Sequence, residues 1–253
     1  MLWVLDLDGV VWLAGQAIPG AAGAVRRLRG LDQKVAFVTN NSTPTVSEYV
    51  RRLADAGIDI APGELVTSAQ AAASLLPAGT RAAYVGGGGV REALEAQGLA
   101  VVGLDEQPDA VVVGRSLKLD FDELTAAARA IRNGARFVAT NTDATFPTPD
   151  GPEPGAGALV AYLQVGSGRD AEVAGKPHQA MANLVCARYG RPGVVVGDRA
   201  DTDGAFAEGV QAPFALVLTG VTRRSDLPVE PAPTVVADDL AGAVQAFLAR
   251  DGD

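Results

Sequence analysis

The stretch Leu2-Trp-Val-Leu-Asp6-Leu-Asp8-Gly9-Val10 is an apolar run that ends in two carboxylates one residue apart. Short apolar runs bounded by turn residues read as buried strands. A helical pattern from Ala21 to Arg29 follows, then Lys34-Val-Ala-Phe-Val, then a second helical pattern from Val46 to Ala56. Strands that alternate with helices in this way predict a parallel sheet covered on both faces. The pattern resumes late, with a strand at Gly193-Val-Val-Val-Gly, a short helix from Thr202 to Glu208 and a strand at Phe214-Ala-Leu-Val-Leu. The two ends of the chain therefore predict parts of one sheet.

Between them lies a second α/β series: Arg81-Ala-Ala-Tyr-Val, a helix from Val90 to Gln97, Ala100-Val-Val, Asp109-Ala-Val-Val-Val, a helix from Phe121 to Arg132, and Arg136-Phe-Val-Ala-Thr. Pro77-Ala-Gly marks its entry and Gly166-Ser-Gly-Arg its exit, both linker-like compositions. The fold class expected is α/β, a Rossmann-like three-layer core with a parallel sheet, interrupted by a smaller inserted α/β cap. The core comprises residues 1–78 and 170–253 and the cap residues 79–169, roughly 90 residues and so domain-sized.

The 253-residue chain is 48% hydrophobic and 20% charged, a globular composition. A net charge of −9 supplies no basic field for nucleic acid or an anionic membrane, so neither is expected as a partner. Cys186 is the single cysteine, which precludes an intrachain disulfide, and its apolar flanks predict a buried, inert thiol. Without a leader-like N-terminus or an apolar run of about 18 residues, a water-soluble, cytoplasmic protein is expected. An anionic substrate would then require locally placed cations.

Four polar strand ends stand out. Asp6 and Asp8 follow the first strand, at its carboxyl end, where ligands bind in open α/β sheets. Buried acids there need a cation or a substrate to hold. Thr39-Asn40-Asn41-Ser42 ends the second strand and suits phosphoryl oxygens, although simple capping by Ser42 or Thr43 would explain it alone. Lys176 is pinned between Gly175 and Pro177, ahead of a helix from Gln179 to Tyr189. Asp198 ends the Val194-Val-Val-Gly strand; Asp203 follows, and Asp201 reads as an exposed turn residue. Carboxylates from separate strand ends suit Mg²⁺, a hard cation that takes oxygen ligands. Trp3 reads as core and Trp12 as a neighbour of the first motif; His178 reads as a helix-start residue without a chemical role.

In this order, Asp-x-Asp-Gly, Thr-Asn-Asn-Ser, Gly-Lys-Pro and Gly-Asp-x₄-Asp resemble the haloacid dehalogenase-like hydrolase superfamily over nearly the whole chain. The stretches Ile18-Pro-Gly-Ala, Ala139-Thr-Asn-Thr-Asp, Pro154-Gly-Ala-Gly-Ala-Leu and Leu218-Thr-Gly-Val resemble its subfamily IIA, the NagD-like and 4-nitrophenylphosphatase-like phosphatases. The resemblance implies a Mg²⁺-dependent phosphatase acting on a small phosphorylated metabolite: a sugar phosphate, glycerol phosphate, phosphoglycolate, pyridoxal phosphate or nucleotide. It implies Asp6 as nucleophile through an aspartyl-phosphate, and Asp8 as general acid and then base. Thr39 and Lys176 would hold the transferring group, and Asn40 and Asn41 would line the entrance and bind substrate. Mg²⁺ would be held by Asp6, the Asp8 carbonyl and Asp198, with Asp203 orienting that shell. A homodimer through the cap is the expected assembly.

This chain departs from many relatives at Arg115-Ser-Leu-Lys118, where Arg115 and Lys118 are either readers of a second anionic group or solvated charges. Asp143 is a further cap residue expected to influence substrate choice, through a cap that acts as a lid. The competing readings are a phosphotransferase or phosphomutase with the same aspartyl-phosphate chemistry, and a phospho-acceptor switch. The cap and a base two residues after the nucleophile both argue against the switch.

Overall fold

The computed structural model describes residues 1–250. Its larger sheet has six strands in the order Val235–Ala237, Phe214–Val217, Val194–Gly197, Leu2–Leu5, Lys34–Thr39, Leu65–Thr67, all parallel. The chain builds outward from Leu2–Leu5 on one side, leaves, and returns to fill the other side. That reversal opens a crevice at the carboxyl ends of the central strands, the usual ligand position in an open α/β sheet. The smaller sheet is also parallel, in the order Glu172–Val173, Arg136–Ala139, Ala110–Val113, Arg81–Val85, Ala100–Val101.

Successive strand residues face opposite sides of a sheet, and here each side joins a different core. Trp3 and Leu5 pack with helices Ala21–Gly30, Val46–Asp55 and Leu240–Arg250. Trp3 meets Phe247 edge-on, with centroids 5.5 Å apart. In the smaller sheet, Val111 and Val113 pack with helices Phe121–Arg132 and Ala156–Ser167. The remaining faces share one apolar cluster. Leu2 and Val4 from the larger sheet and Ala110 and Val112 from the smaller one join it, with helices Ser68–Ser74, Gly88–Ala96 and Gln179–Tyr189 between them. Ser68–Ser74 tolerates this middle position because Ala69, Ala71, Ala72 and Ala73 are small and fully buried. Cys186 is half-buried at the edge of this cluster rather than fully enclosed.

Three boundaries differ from expectation. Glu172 and Val173 pair with Val138 and Ala139, so the smaller sheet extends past the boundary expected at 169/170 and the chain crosses back after Val173. Arg136 holds Glu172 at 2.6 Å, which favours that pairing. Gly166-Ser-Gly-Arg is no free hinge, because Gly168 (φ +69°) ends the helix Ala156–Ser167 in the left-handed conformation. The helix expected from Thr202 is instead a π-helical turn, Ala200–Gly204, running into Ala205–Gly209. It widens because the Arg199 carbonyl accepts from both Asp203 N (2.9 Å) and Gly204 N (3.2 Å).

The shared middle layer predicts that core and cap unfold together. Ala72→Leu should cost about 1–3 kcal/mol by overpacking it and shift a single cooperative transition. Two resolved transitions in calorimetry would show that the cap melts on its own.

Candidate active site

Asp6 sits one residue past the central strand, its amide still paired with the Val196 carbonyl at 2.9 Å. The chain then turns sharply. The amides of Val10, Val11 and Trp12 all point to the Leu7 carbonyl, at 3.3, 2.9 and 3.2 Å, and Gly9 N donates to the Trp12 carbonyl at 2.6 Å. Gly9 adopts φ +84°, and a Cβ there would lie 2.5 Å from the Asp198 carboxyl carbon. Glycine is needed for both reasons. Gly220 closes the other side, where a Cβ would come within 2.0 Å of Asp198 Oδ2. Val221 N donates to that oxygen at 2.6 Å.

Lys176, 5% exposed, spends all three ammonium donors inside the site: on Asp6 Oδ1 at 2.7 Å, Asp203 Oδ1 at 2.6 Å and the Val38 carbonyl at 3.1 Å. Burial alone would lower its affinity for the proton, but Asp203 and Asp6 outweigh burial and hold it above the ordinary lysine range. Burial pushes Asp6 well above the usual carboxylate range against the pull of Lys176, and Asp203, Asp198 and Asp8 add to the rise. Burial likewise takes Asp8 to about 6 and, with help from Asp203, Asp198 to about 7. One ammonium therefore faces four carboxylates. A phosphate dianion entering such a pocket would need more positive charge, and oxygens of Asp6, Asp198 and Asp203 lie within 4.8 Å of one another. The donor set is all oxygen, which fits a divalent hard cation. Both Asp203 oxygens are already occupied, by Lys176 Nζ and, at 3.2 Å, by Arg199 N.

Asn40 is held differently from what its entrance position suggests. It lines the cavity, but its Oδ1 accepts from Lys176 N at 2.8 Å, and its Nδ2 donates to the Lys176 carbonyl at 3.0 Å and to Asp143 Oδ2 at 3.1 Å. Its amide therefore clamps the Lys176 backbone. Asn41 also lines the cavity, with Oδ1 accepting from Thr43 N at 3.1 Å and its own amide donating to Thr39 Oγ1 at 3.1 Å.

Asn141, Ser68 and Thr140, to which sequence reasoning assigned no role, complete the frame together with Ser42. Asn141 Nδ2 and Ser68 Oγ both donate to the Asn40 carbonyl, at 2.6 and 2.5 Å, and Ser42 and Thr140 hydroxyls meet at 3.0 Å. Gly175 N donates to the Thr140 carbonyl at 2.7 Å. The only prior signal was the run Ala139-Thr-Asn-Thr-Asp, a strand end with hydrogen-bonding side chains.

These groups open into a cavity of about 720 Å³ that Asp143, Phe146, Arg199 and Arg223 also line. Part of that lining is a hairpin, Thr145–Thr148 with Gly151–Pro154. Arg115 lines the cavity, but its guanidinium pairs with Glu153 at 2.5 Å and stacks over Phe146 at 4.5 Å, holding the hairpin. Lys118 is exposed and lies outside the cavity wall. Asp143 faces Arg199 at 3.7 Å as well as Asn40.

A carboxylate gripped by a buried lysine at the switch point of a parallel sheet, with further acids ready for a cation, fits an enzyme of the phosphoryl-transfer kind. The family model described as haloacid dehalogenase-like hydrolase matches residues 3–100, and a second HAD-hydrolase-like model matches residues 173–243. The D-glycerol 3-phosphate phosphatase of Mycobacterium tuberculosis is 39% identical, covering 94% of this chain and 69% of that protein. The dihydroxyacetone phosphatase of Corynebacterium glutamicum is 32% identical over 99% of this chain and 93% of its own. Among solved structures, the p-nitrophenyl phosphatase from Archaeoglobus fulgidus superimposes with a TM-score of 0.90 at 33% identity, covering 97% of this chain and 98% of that one. A glycerol phosphate phosphatase from Mycobacterium tuberculosis in complex with magnesium gives a TM-score of 0.89 at 38% identity, covering 96% and 75%. The chain belongs to the haloacid dehalogenase-like hydrolases, in the subfamily IIA branch of 4-nitrophenylphosphatase-like phosphatases, and is a phosphoric monoester hydrolase.

The ion-pair geometry makes Lys176→Met a stringent test. Removing the ammonium leaves the buried carboxylates of Asp6 and Asp203 without their cation, a change that typically costs about 3–5 kcal/mol. Denaturant unfolding without added divalent cation should show a loss of that size, and Asp203→Asn in the same background should recover part of it. A loss below about 1 kcal/mol would mean that the pair is not buried as described.

Proposed function

We propose that the protein hydrolyses small polyol or sugar phosphates with Asp6 as nucleophile, Asp8 as proton donor and then base, and Thr39 and Lys176 holding the transferring group. The observation that carries this reading is the placement of Asp6 and Asp8 at one cavity with different partners: Asp6 on Lys176, Asp8 on no cation within bonding distance. Two carboxylates in unlike environments are suited to two roles. Asp6 attacks phosphorus, the bond to the leaving oxygen breaks, and Asp8 delivers its proton to that oxygen. Water then attacks the aspartyl-phosphate and gives a proton back to Asp8, releasing phosphate and free Asp6. Asp6 and Asp198 are the side chains that would hold Mg²⁺ together with the Asp8 carbonyl, while Asp203 fixes Lys176 and Arg199 N beside them. The cation, when bound, supplies the charge that neutralises the phosphoryl oxygens.

The substrate class is supported by the cavity and by the relatives named for glycerol 3-phosphate and dihydroxyacetone phosphatases. Asp143, Arg199 and Arg223 give the cavity lining hydrogen-bonding groups, and Phe146 gives it an apolar face, which suits a short hydroxylated leaving group. No helix among the described residues is long and apolar enough to cross a membrane. Cytoplasmic residence, supported by the lone free cysteine, is part of the proposal. So is a homodimer through the cap, supported by exposed Leu117, Leu119 and Phe121.

Asp6→Asn should abolish turnover with the fold intact, because the amide is near-isosteric and a poor nucleophile. Residual activity above a few per cent would remove Asp6 from the role. Chelation by EDTA should stop the enzyme and magnesium should restore it. Phosphate release across a panel of glycerol phosphates, dihydroxyacetone phosphate, sugar phosphates, phosphoglycolate, pyridoxal phosphate and nucleotides should rank the first three highest. A nucleotide or pyridoxal phosphate at the top would overturn the substrate class while leaving the chemistry standing.

A further inference from the structure

We propose that Trp12 is a positioning residue that decides which oxygen of Asp8 carries the catalytic proton. The inference rests on the reading of Asp8 as proton donor. The tight turn after Asp8 folds the chain back so that Trp12 Nε1 donates to Asp8 Oδ1 at 3.1 Å. The indole is 7% exposed and lies parallel to Tyr49, with centroids 6.3 Å apart and planes 9° apart. Tyr49 is itself buried, and its hydroxyl donates to the Asn41 carbonyl at 2.8 Å. The ring is therefore clamped between the turn that carries Asp8 and the loop that carries Asn41. Asp8, Gly9, Leu13 and Ala14 line the cavity, whereas Trp12 does not. Its indole N–H can influence the substrate only through Asp8.

An indole N–H donates and never accepts. The Asp8 oxygen that receives it holds no proton directed along that line, in the acid form or in the carboxylate. The carbonyl oxygen of a carboxylic acid is a better acceptor than its hydroxyl oxygen, so the indole favours the form with the proton on Oδ2, which accepts from no other group among the described residues. During the first step that proton leaves Oδ2 for the departing alkoxide oxygen as its bond to phosphorus breaks and the Asp6–phosphorus bond forms. In the second step the attacking water loses a proton to the same oxygen. Trp12 thus keeps one oxygen occupied and the other committed, so the acid does not have to rotate between steps.

The test is the dependence of kcat/KM on the leaving group. An ester with a poor leaving group, such as glycerol phosphate, needs the proton, whereas 4-nitrophenolate departs without it. Trp12→Phe keeps a ring against Tyr49 and removes the donor. Its loss should grow with leaving-group pKa across a series of aryl and alkyl phosphates, reaching about tenfold or more on glycerol phosphate, a fraction of what general acid catalysis supplies. On 4-nitrophenyl phosphate the loss should be far smaller. Asp8→Asn, measured on the same series, should show the same graded loss in larger measure. If Asp8→Asn is graded but Trp12→Phe slows every ester by one common factor, or none, the role given to Trp12 is wrong. If Asp8→Asn is itself ungraded, the proton-donor reading fails and takes this inference with it. Should circular dichroism show Trp12→Phe misfolded, benzothienylalanine at position 12, nearly isosteric with tryptophan but lacking the N–H, gives the same comparison.

Discussion

The structure depends on one buried ammonium. Lys176 Nζ ties Asp6 from the first strand to Asp203 from the turn after Val194–Gly197, and it reaches the Val38 carbonyl of a third strand. Three strand ends are thereby held at fixed separation. A buried ion pair of this kind is a weak source of stability, since desolvation consumes much of the attraction. Its value here is positional, and the surrounding bonds serve that end. The Asn40 side chain holds the lysine's backbone from both sides, and Asn141 and Ser68 hold Asn40 through its carbonyl. The excess of carboxylates over ammonium is what makes the pocket receptive to a divalent cation.

The same bonds change the meaning of the cap. Thr140, Asn141 and Asp143 belong to a loop at the end of a strand of the smaller sheet, yet their partners are Ser42, Asn40 and Arg199 from the larger domain. Beneath them, one apolar cluster passes from sheet to sheet through helices of mostly small buried side chains. A cap in contact with the core in this way is a wall of the active site and a strut for its lysine. The hairpin of residues 145–154 has no comparable anchor: its residues are exposed or half-exposed, and Arg115 ties it down through Glu153 and Phe146.

Much of this was legible beforehand, for reasons that are local. Apolar runs such as Leu2–Leu5 and Val194–Gly197 are buried on both faces, so they announce themselves as strands, and acids at their ends stand out against that background. Asp6, Asp8, Thr39, Lys176 and Asp198 do meet at one cavity. What the pattern concealed was pairwise. Nothing in Thr39-Asn-Asn-Ser says that Asn40 would turn its amide onto a lysine backbone far away in sequence, and nothing around Arg115 says that it would pair with Glu153 of a hairpin. The short strand Glu172–Val173 and the π-helical turn at Ala200–Gly204 were also hidden, because each depends on a partner supplied by the tertiary fold.

The spacing Asp-x-Asp gains its sense from the turn that follows it. In a regular strand, Asp6 and Asp8 would share one face and one environment, and two like carboxylates there would compete for a single cation. The strand ends at Leu5, and the convergence of three amides on the Leu7 carbonyl with the left-handed Gly9 turns the chain back just after it. Asp6 is left in line with the sheet and against Lys176, while Asp8 is carried back to an indole that offers a hydrogen bond without a charge. Burial lets Asp8 keep its proton up to about pH 6, against the indole hydrogen bond, which favours the carboxylate. Close approach of Gly9 and Gly220 to Asp198 then seats the third carboxylate where neither glycine could accept a side chain. The division of labour between two chemically identical residues thus comes from a backbone reversal, and the glycines are what permit it.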